Sequence, residues 1–286
     1  MTPRERDYVA GLCAARAGLN IETERAYLLE NRLGVLARSE GYGSITELVR
    51  AVHDRGEERL VWAVVEALAP AQTAFFRDPE VFAAMGRELE AAAARGTVRV
   101  WSAACGPGQE IYSIAMLLEE RGVEGVELFA SDLNERLLEK ARLGLYSPFE
   151  VQQGLSARRL VRHFANADEA FGLEAELRRQ VKWRRLNLLD APTGVGSFDL
   201  ILCRYVLGSL LPAARERVLA NLASALRPGG RLVLGAKETA SAACGLVPVP
   251  GLPGAFRTAD PGSRGGLRRK QKPRRDTTGF LKHLTV

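Results

Sequence analysis

"TVRVWSAACGPGQEIYSIAMLLEERG", residues 97–122, contains the change from strand to helix that decides the fold. The opening segment is rich in β-branched and aromatic side chains, which favour a β-strand. The closing segment has a helical pattern that ends at Gly122. The loop between them contains Gly106 and Gly108, and glycines there let the chain turn tightly and let a ligand approach the backbone.

Strand-like and helix-like segments alternate on the C-terminal side of this stretch. A strand at 126–132 precedes a helix at 134–144, and apolar strands at 197–207 and 230–238 flank a further helical segment. This order predicts an α/β fold with a parallel sheet and helices on both faces. Beyond it, the Pro/Gly-rich stretch 246–258 is compatible with a last antiparallel hairpin on the sheet edge.

The remaining segments predict three further parts of the chain. Residues 1–70 show helical patterns that Pro70 ends, so they predict a helical N-terminal domain. The α/β domain then spans 71–262, and its irregular stretch within about 150–187 predicts a small antiparallel β insert. Residues 263–286 form a basic tail that we expect to be a solvated extension.

Charge and composition exclude several function classes. The net charge is +6, but residues 257–286 alone hold nine Lys/Arg and two Asp, so the rest of the chain is nearly neutral. The basic tail suits nucleic acid or acidic lipid by counterion release. Its basic run "RRKQKPRR" (268–275) has no interleaved aromatic residues for base stacking, so a nucleic-acid partner is not expected.

The distribution of apolar, cysteine and histidine residues points to an intracellular protein without metal. No run of 18 apolar residues exists, so no membrane insertion is expected, and the charged N-terminus is unlike a secretory signal. Four scattered cysteines without CxxC spacing argue against disulfides and zinc, and fit a reducing cytoplasm. Three histidines in separate segments predict no metal site.

Two carboxylates near the glycine loop indicate which ligand it binds. A dinucleotide loop would place a third glycine at Ile111, and Glu110 would repel a pyrophosphate at the helix N-terminus. An ammonium or sulfonium group would be attracted instead, and Asp132 at the next strand end suits two ribose hydroxyls. The pattern therefore favours S-adenosylmethionine over NAD. The alternative is that Glu110 is only a first-turn acid and Asp132 only a helix cap.

Four ordered segments resemble the chemotaxis-receptor methyltransferases, the CheR-type protein-glutamate O-methyltransferases: "QTAFFRDPEVF" (72–82), "RVWSAACGPGQEIYSIAMLL" (99–118), "FASDLNERLLEKARLGLY" (129–146) and "FDLILCRYVL…LRPGGRLVLGAKE" (198–238). The resemblance implies a Rossmann-like class I S-adenosylmethionine-dependent methyltransferase sheet with a small β-subdomain insert and an all-helical N-terminal domain. It also implies methyl transfer from S-adenosylmethionine, with S-adenosylhomocysteine as product, to glutamates of a signalling receptor or related protein.

The resemblance also implies residue roles at matched positions. Arg77 is expected to orient the acceptor carboxylate, with Phe75 and Phe76 anchoring its segment in the seam between the two domains. The alternative is a surface pair between Arg77 and Asp78. The residues expected to bind the cofactor are Gln72, Thr73, Arg77, Ala104, Gly106, Glu110, Asp132, Asn187, Leu188 and Tyr205.

Two departures from the family pattern leave turnover open. Tyr205 replaces an asparagine near the cofactor, and Ser209 replaces an active-site tyrosine. An alternative function is therefore a degenerate methyltransferase-fold module that binds cofactor and a protein partner without turnover. A methyltransferase for another acceptor is a third possibility.

The partner implied by the family is an acidic helical receptor. The family's basic N-terminal helix retains Arg32, whereas Leu36 occupies its second arginine position, and Arg25 and Arg38 partly compensate. The β insert leaves open whether a receptor peptide is tethered to its edge as an added strand. We expect the protein to be a monomer.

Overall fold

The computed structural model describes residues 1–22, 26–240, 242–252 and 254–259. Arg25 and the predicted basic tail, 263–286, lie outside the described residues. Within the described ranges, no helix combines the length and the apolar character needed to cross a membrane. All four cysteines are free thiols.

The N-terminal part is helical, as the sequence patterns predict. Its helices are α1 (Pro3–Ala17), α2 (Ala26–Ser39), α3 (Ile45–Arg55) and α4 (Glu58–Leu68). In α4 the buried side chains recur every three or four residues, for example at Val61, Val64 and Leu68. This spacing gives the helix one apolar face, which packs against the neighbouring helices.

The next part of the chain alternates helix and strand. Its elements are α5 (Pro79–Ala93), β1 (Val98–Ala103), α6 (Gln109–Arg121), β2 (Val126–Asp132) and α7 (Glu135–Leu143). A group of short elements follows: β3 (Leu145–Tyr146), α8 (Pro148–Gln152), α9 (Ala157–His163), β4 (Phe164–Ala167), β5 (Ala170–Leu173) and α10 (Ala175–Arg179). The last elements are β6 (Val181–Arg185), β7 (Phe198–Cys203), α11 (Pro212–Ser224), β8 (Leu226–Leu234), β9 (Leu246–Pro248) and β10 (Ala255–Thr258).

The main sheet has seven strands in the order β6-β2-β1-β7-β8-β10-β9. The first five are parallel, while β10 pairs antiparallel with both β8 and β9. This arrangement confirms the predicted α/β fold and the edge hairpin. Because the chain leaves β1 toward β2 on one side and later forms β7 on the other, the carboxyl ends of β1 and β7 border a crevice where such sheets bind ligands.

The small antiparallel sheet overlaps its predicted range of about 150–187 but begins and ends earlier in the chain. It has the order β3-β5-β4 and falls within residues 145–173. Strand β6 instead pairs parallel with β2, Val181 opposite Leu128, and forms an edge of the main sheet. The alternating apolar and charged residues of β6 misled the prediction, because an exposed edge strand and a strand of a small sheet share that pattern.

The alternation along β1 divides the interior into two cores. Val98 and Val100 point to the face covered by α5 and α6, while Trp101 and Ala103 point to the face covered by the N-terminal helices and α11. The side-chain period of two in a strand produces this division. The N-terminal helices therefore share one continuous core with the sheet.

The prediction that Phe75 and Phe76 dock in the seam between the domains is wrong. The Phe75 ring lies 5.0 Å from that of Tyr146 and 5.6 Å from that of Phe164, and Phe76 packs 5.3 Å from Phe82. All five side chains belong to the core on the α5–α6 face. The segment is anchored against the small sheet and α5, on the side of the main sheet away from the N-terminal helices.

Candidate active site

A cavity opens at the carboxyl edge of the parallel strands, beside the N-terminal helices. Its walls include Ala17 and Leu19 at the end of α1, and Leu210 after β7. Every residue predicted to bind the cofactor lines it: Gln72, Thr73, Arg77, Ala104, Gly106, Glu110, Asp132, Asn187, Leu188 and Tyr205. The structure brings these positions together, and their roles in binding stay predictions.

The two glycines of the loop serve different purposes. Gly106 lines the cavity with a φ of +56°, so the backbone itself forms that part of the wall. Gly108 has a φ of +93°, but an added Cβ there would lie 3.1 Å from atoms of Tyr112, Ala141 and Trp183. Gly108 therefore permits close packing at the start of α6, and the prediction that it admits ligand is corrected to a packing role.

Asp132 holds the glycine loop at the end of β2. Its carboxylate accepts hydrogen bonds from the backbone N–H of Gly106, at 2.8 Å, and of Asn134, at 2.9 Å. Burial raises the pKa of Asp132, and these hydrogen bonds act in the opposite direction. The N-cap of α7 is Asn134, whose Oδ1 accepts from Leu137 N–H, so the alternative role of Asp132 as that helix cap is not found.

Glu110 presents a fixed carboxylate at the first turn of α6. Its Oε1 accepts from the Ser102 hydroxyl at 2.8 Å, and its Oε2 pairs with Arg204 Nη1 at 3.2 Å. Both partners come from strand ends of the main sheet, since Ser102 is in β1 and Arg204 follows β7. The side chain thus combines an oriented anion with a position on the cavity wall.

Arg204 is a site residue that the sequence reasoning missed. It is buried and lines the cavity, and its Nε has no hydrogen-bond partner among the described residues. The other guanidinium nitrogens pair with the carboxylates of Asp78 and Glu110, so Arg204 holds two acidic side chains at the edge of the cavity. A charged residue directly after the apolar run of β7 was the available signal, because strand ends in such sheets border the ligand crevice.

Arg77 reaches the cavity without pairing with Asp78. Its Cζ lies 3.3 Å from the Tyr205 ring centroid, and its Nη1 is 3.5 Å from the Gln72 carbonyl oxygen. Asp78 binds Arg204 Nη2 at 2.5 Å and accepts a hydrogen bond from the Tyr205 hydroxyl. The predicted alternative, a surface Arg77–Asp78 pair, is therefore not what forms.

Glu238, which sequence reasoning also missed, fixes the loop after β7. Its carboxylate accepts from the backbone N–H of Tyr205 and Leu207, each at 2.7 Å, and of Gly235 at 2.8 Å. Tyr205 has a φ of +61°, a conformation that few non-glycine residues adopt. Burial, and then the Asp78 carboxylate, raise the pKa of Tyr205. An acid soon after the apolar β8 was again the available signal.

Two predicted positions use their side chains for structure. Asn187 donates from Nδ2 to the Arg16 carbonyl at 2.7 Å and accepts at Oδ1 from Leu189 N–H at 3.1 Å. Its side chain therefore ties the loop after β6 to α1, which leaves its backbone and the Leu188 side chain as the contact surface for a ligand. The Ser209 hydroxyl donates to the Val206 carbonyl at 2.7 Å.

Arg32, expected on the acceptor side, is exposed and also makes contacts within the helical part. Its Nη1 lies 2.9 Å from the Leu68 carbonyl oxygen and 3.4 Å from that of Ala69, so it satisfies the last carbonyls of α4. Leu36 is buried in the helical core. Both residues of α2 support the fold, while Arg32 and Arg38 are exposed and their contact with an acidic acceptor stays a prediction.

The acceptor groups and apolar side chains of the cavity fit a cationic nucleoside. Two carboxylates, Glu110 and Asp132, lie at the glycine loop, where a pyrophosphate would meet repulsion. The remaining wall beside Asn187 is mainly apolar, with Leu133, Leu186 and Leu188 available to pack against a flat base. This set of groups suits the amine, ribose and adenine of S-adenosylmethionine.

Comparison with known proteins agrees with this chemistry. The family model described as CheR methyltransferase, SAM binding domain, matches residues 71–246. Chemotaxis protein methyltransferase 1 of Pseudomonas aeruginosa is 34% identical over 234 residues, covering 77% of this chain and 85% of that protein. The chemotaxis protein methyltransferase of Vibrio parahaemolyticus is also 34% identical, covering 79% and 85%. That of Salmonella typhimurium is 31% identical over 244 residues, covering 82% and 83%.

Proposed function

Because the chain belongs to the CheR methyltransferase family, we propose that it transfers the methyl group of S-adenosylmethionine to glutamate side chains of a chemotaxis-type signalling receptor or a related protein. The relatives are named for chemotaxis protein methylation, and the cavity of this chain carries groups that suit the cofactor. The receptor as acceptor, and its acidic helical character, are parts of the proposal.

The reaction requires alignment of the reacting atoms more than it requires acid–base catalysis. When bound, S-adenosylmethionine supplies a methyl group already activated on sulfonium sulfur. A glutamate carboxylate, with an ordinary pKa of about 4.3, is ionised at pH 7 and needs no general base. The acceptor oxygen gains the methyl group as the carbon–sulfur bond breaks, and no proton has to move. Holding the reacting atoms in line contributes on the order of 7–11 kcal/mol at best.

The residues of the cavity divide this task. Glu110, fixed by Ser102 and Arg204, is placed to accept hydrogen bonds from the methionine amine. Asp132 is placed to accept from the ribose hydroxyls while it holds the glycine loop. Arg77 then meets the acceptor carboxylate through charge-assisted hydrogen bonds, which orient it without removing its charge.

The surface of α2 shapes the proposed contact with the acceptor. Leu28 is 42% exposed, Val35 61% and Tyr27 63%, so this helix presents an apolar strip beside Arg38. Strand β4 lies at the free edge of the small sheet, where an added peptide strand could pair with its backbone. We therefore propose an acceptor with both apolar and acidic residues on one helical face.

One observation carries the proposal: Glu110, Asp132 and Arg77 line a single cavity next to a glycine loop. The test combines calorimetry with S-adenosylhomocysteine and incubation with radiolabelled S-adenosylmethionine and a purified cytoplasmic receptor fragment. We expect nucleoside binding and base-labile label on glutamates of the fragment, as methyl esters hydrolyse in base.

The same assay separates the alternatives. Binding without label on any added protein would favour the non-enzymatic module, for which the engaged hydroxyl of Ser209 is the supporting observation. Label on another protein of the same cell would replace the receptor as acceptor. Absence of nucleoside binding would overturn the proposal as a whole.

A further inference from the structure

The Arg77 guanidinium is stacked on an aromatic ring, and no carboxylate of the described residues pairs with it. Its Cζ is 3.3 Å from the Tyr205 ring centroid, and among the described residues its other polar contact is the Gln72 carbonyl oxygen at 3.5 Å. Asp78, next to it in sequence, binds Arg204 and the Tyr205 hydroxyl. The charge of Arg77 is thus held at an aromatic face inside the cavity, where a ring attracts a cation.

The Tyr205 ring is itself held from several sides. Its hydroxyl donates to Asp78, which precedes α5, and its backbone N–H donates to Glu238, which follows β8, at 2.7 Å. A Cβ added to Gly235 would lie 3.0 Å from Tyr205 Cδ1, so the strand end packs directly against the ring. Contacts from the end of β8 and from the start of α5 leave the ring little freedom.

Backbone strain is concentrated around this pair. Five non-glycine residues in the described ranges have positive φ, and four of them lie in the cavity or in the segment leading to it: Phe76, Asp78, Ala104 and Tyr205. Such conformations persist where surrounding contacts enforce them, and they often occur at functional sites. Here the strained conformation of Tyr205 directs its side chain toward Arg77 and Asp78.

We infer that Tyr205 is a positioning residue, which stacks on the face of Arg77 and thereby aims its N–H edge at the acceptor carboxylate. This inference rests on the proposed function and names the residue that prepares its acceptor site. Stacking occupies the face of a guanidinium and leaves the planar fork of donors for bidentate binding of a carboxylate. A flexible arginine would have to be ordered during each binding event, and the stacked one is ordered beforehand.

The stacking is tested in the full chain without any acceptor. Ring currents of Tyr205 should shift the side-chain protons of Arg77 upfield in the NMR spectrum of the wild-type protein. Tyr205→Phe should retain this shift because it keeps the ring, and Tyr205→Leu should abolish it. Arg77 resonances at ordinary positions in the wild type would overturn the inference, whether or not the protein methylates anything.

The consequence for catalysis is tested by a double-mutant cycle with a purified cytoplasmic receptor fragment as acceptor. We expect Tyr205→Leu to raise the KM for the fragment about tenfold. In the Arg77→Ala background, Tyr205→Leu should cause little further loss, because both residues act through one interaction. Tyr205→Phe should restore most of the activity.

The control is Tyr8→Leu, which removes a half-buried tyrosine ring of α1 that packs on His53 outside the cavity. It should lower thermal stability without changing the KM for the fragment. Losses from Tyr205→Leu and Arg77→Ala that multiply would show independent roles and overturn the inference. Absence of turnover in the wild type would reject the proposed function, and the NMR experiment would still decide the stacking.

Discussion

At the scale of single residues, one carboxylate of the site performs two tasks. Asp132 accepts two backbone N–H groups, those of Gly106 and Asn134, and also lines the cavity. The loop that approaches the ligand is therefore fastened by the residue proposed to bind the ribose. A change of this side chain should therefore lower both the stability of the fold and the affinity for the nucleoside.

Asp132→Asn tests that connection. An amide in this place would point its NH2 at one of the two backbone N–H groups, leaving a buried donor without a partner. We expect the free energy of unfolding to fall by about 1–3 kcal/mol, and the affinity for S-adenosylhomocysteine to fall at least about tenfold, which corresponds to about 1.4 kcal/mol. Urea denaturation and calorimetry measure the two quantities.

Asp199→Asn is the matched control. Asp199 is in β7, where its Oδ2 accepts from Arg99 N–H at 2.8 Å and pairs with Arg227 at 2.7 Å, and it is not part of the cavity wall. Its replacement should reduce stability and leave nucleoside affinity unchanged. Equal nucleoside affinities for wild type and Asp132→Asn would contradict the role given to Asp132.

At the scale of elements, α6 is joined to α9 by a partly buried ion pair. Glu120 accepts from Arg159 Nε at 2.8 Å and Nη2 at 2.9 Å, and His163 Nε2 lies 3.3 Å from its Oε1. Arg159 also stacks over the Phe76 ring, 3.7 Å from its centroid. This contact connects the helix that carries Glu110 to the segment that carries Arg77.

Glu120→Gln should show a pH-dependent loss of stability. Burial alone would raise the pKa of Glu120, but Arg159 and His163 lower it below its ordinary value. A depressed pKa means that the ionised carboxylate stabilises the fold above about pH 4.3 and that this contribution is lost as the pH falls through the depressed value. We expect the free energy of unfolding of Glu120→Gln to be about 1–2 kcal/mol lower than that of the wild type at pH 7. Urea denaturation should show this difference becoming smaller below about pH 4.3.

The control for this change is Glu119→Gln, the next residue. Its ion pair with Arg162, at 2.8 Å, has both side chains at least 40% exposed, and such surface pairs contribute about 0–1 kcal/mol. We therefore expect Glu119→Gln to lower the free energy of unfolding at pH 7 by less than Glu120→Gln does. A Glu120→Gln deficit that stays constant from pH 7 down to acid would show that the charge is not what joins the helices.

The elements differ in how far the sequence could predict them. The β1–α6 unit was predictable, since strand, glycine loop and helix follow one another within about 25 residues and each has a local signal. The place of β6 at an edge of the main sheet was not predictable from the sequence, because its partner β2 lies some 50 residues earlier. Likewise the ion pair of Asp78 with Arg204 joins residues 126 positions apart, and no local pattern indicates it.

At the scale of the whole molecule, the cavity has walls from both the helical part and the sheet. Asn20 N–H donates to the Ser209 carbonyl at 2.8 Å, and Leu211 N–H donates to the Gly18 carbonyl at 2.8 Å. Ala17 and Leu19, on either side of Gly18, line the cavity. The turn at the end of α1 therefore sets the distance between the helical part and the loop after β7.

Gly18→Ala tests this dependence. Gly18 has a φ of +66°, and an added Cβ would lie 2.3 Å from the Cβ of Ala214 in α11, so α1 and α11 would have to separate. We expect the free energy of unfolding to fall by about 2–4 kcal/mol, from left-handed backbone strain and overpacking together. Affinity for S-adenosylhomocysteine should fall with it, because the displaced turn carries two residues of the cavity wall.

Gly56→Ala separates backbone strain from the clash, and so decides whether the position of the helices matters to the site. Gly56 ends α3 with a φ of +59°, and in the part of the chain that the structure describes nothing lies within 4 Å of an added Cβ. Backbone strain alone should lower the free energy of unfolding of Gly56→Ala by about 1–2 kcal/mol. The affinity for the nucleoside should be unchanged. If calorimetry finds the same affinity in Gly18→Ala, Gly56→Ala and wild type, the helical part does not shape the cavity, and the methyltransferase sheet alone must hold the cofactor.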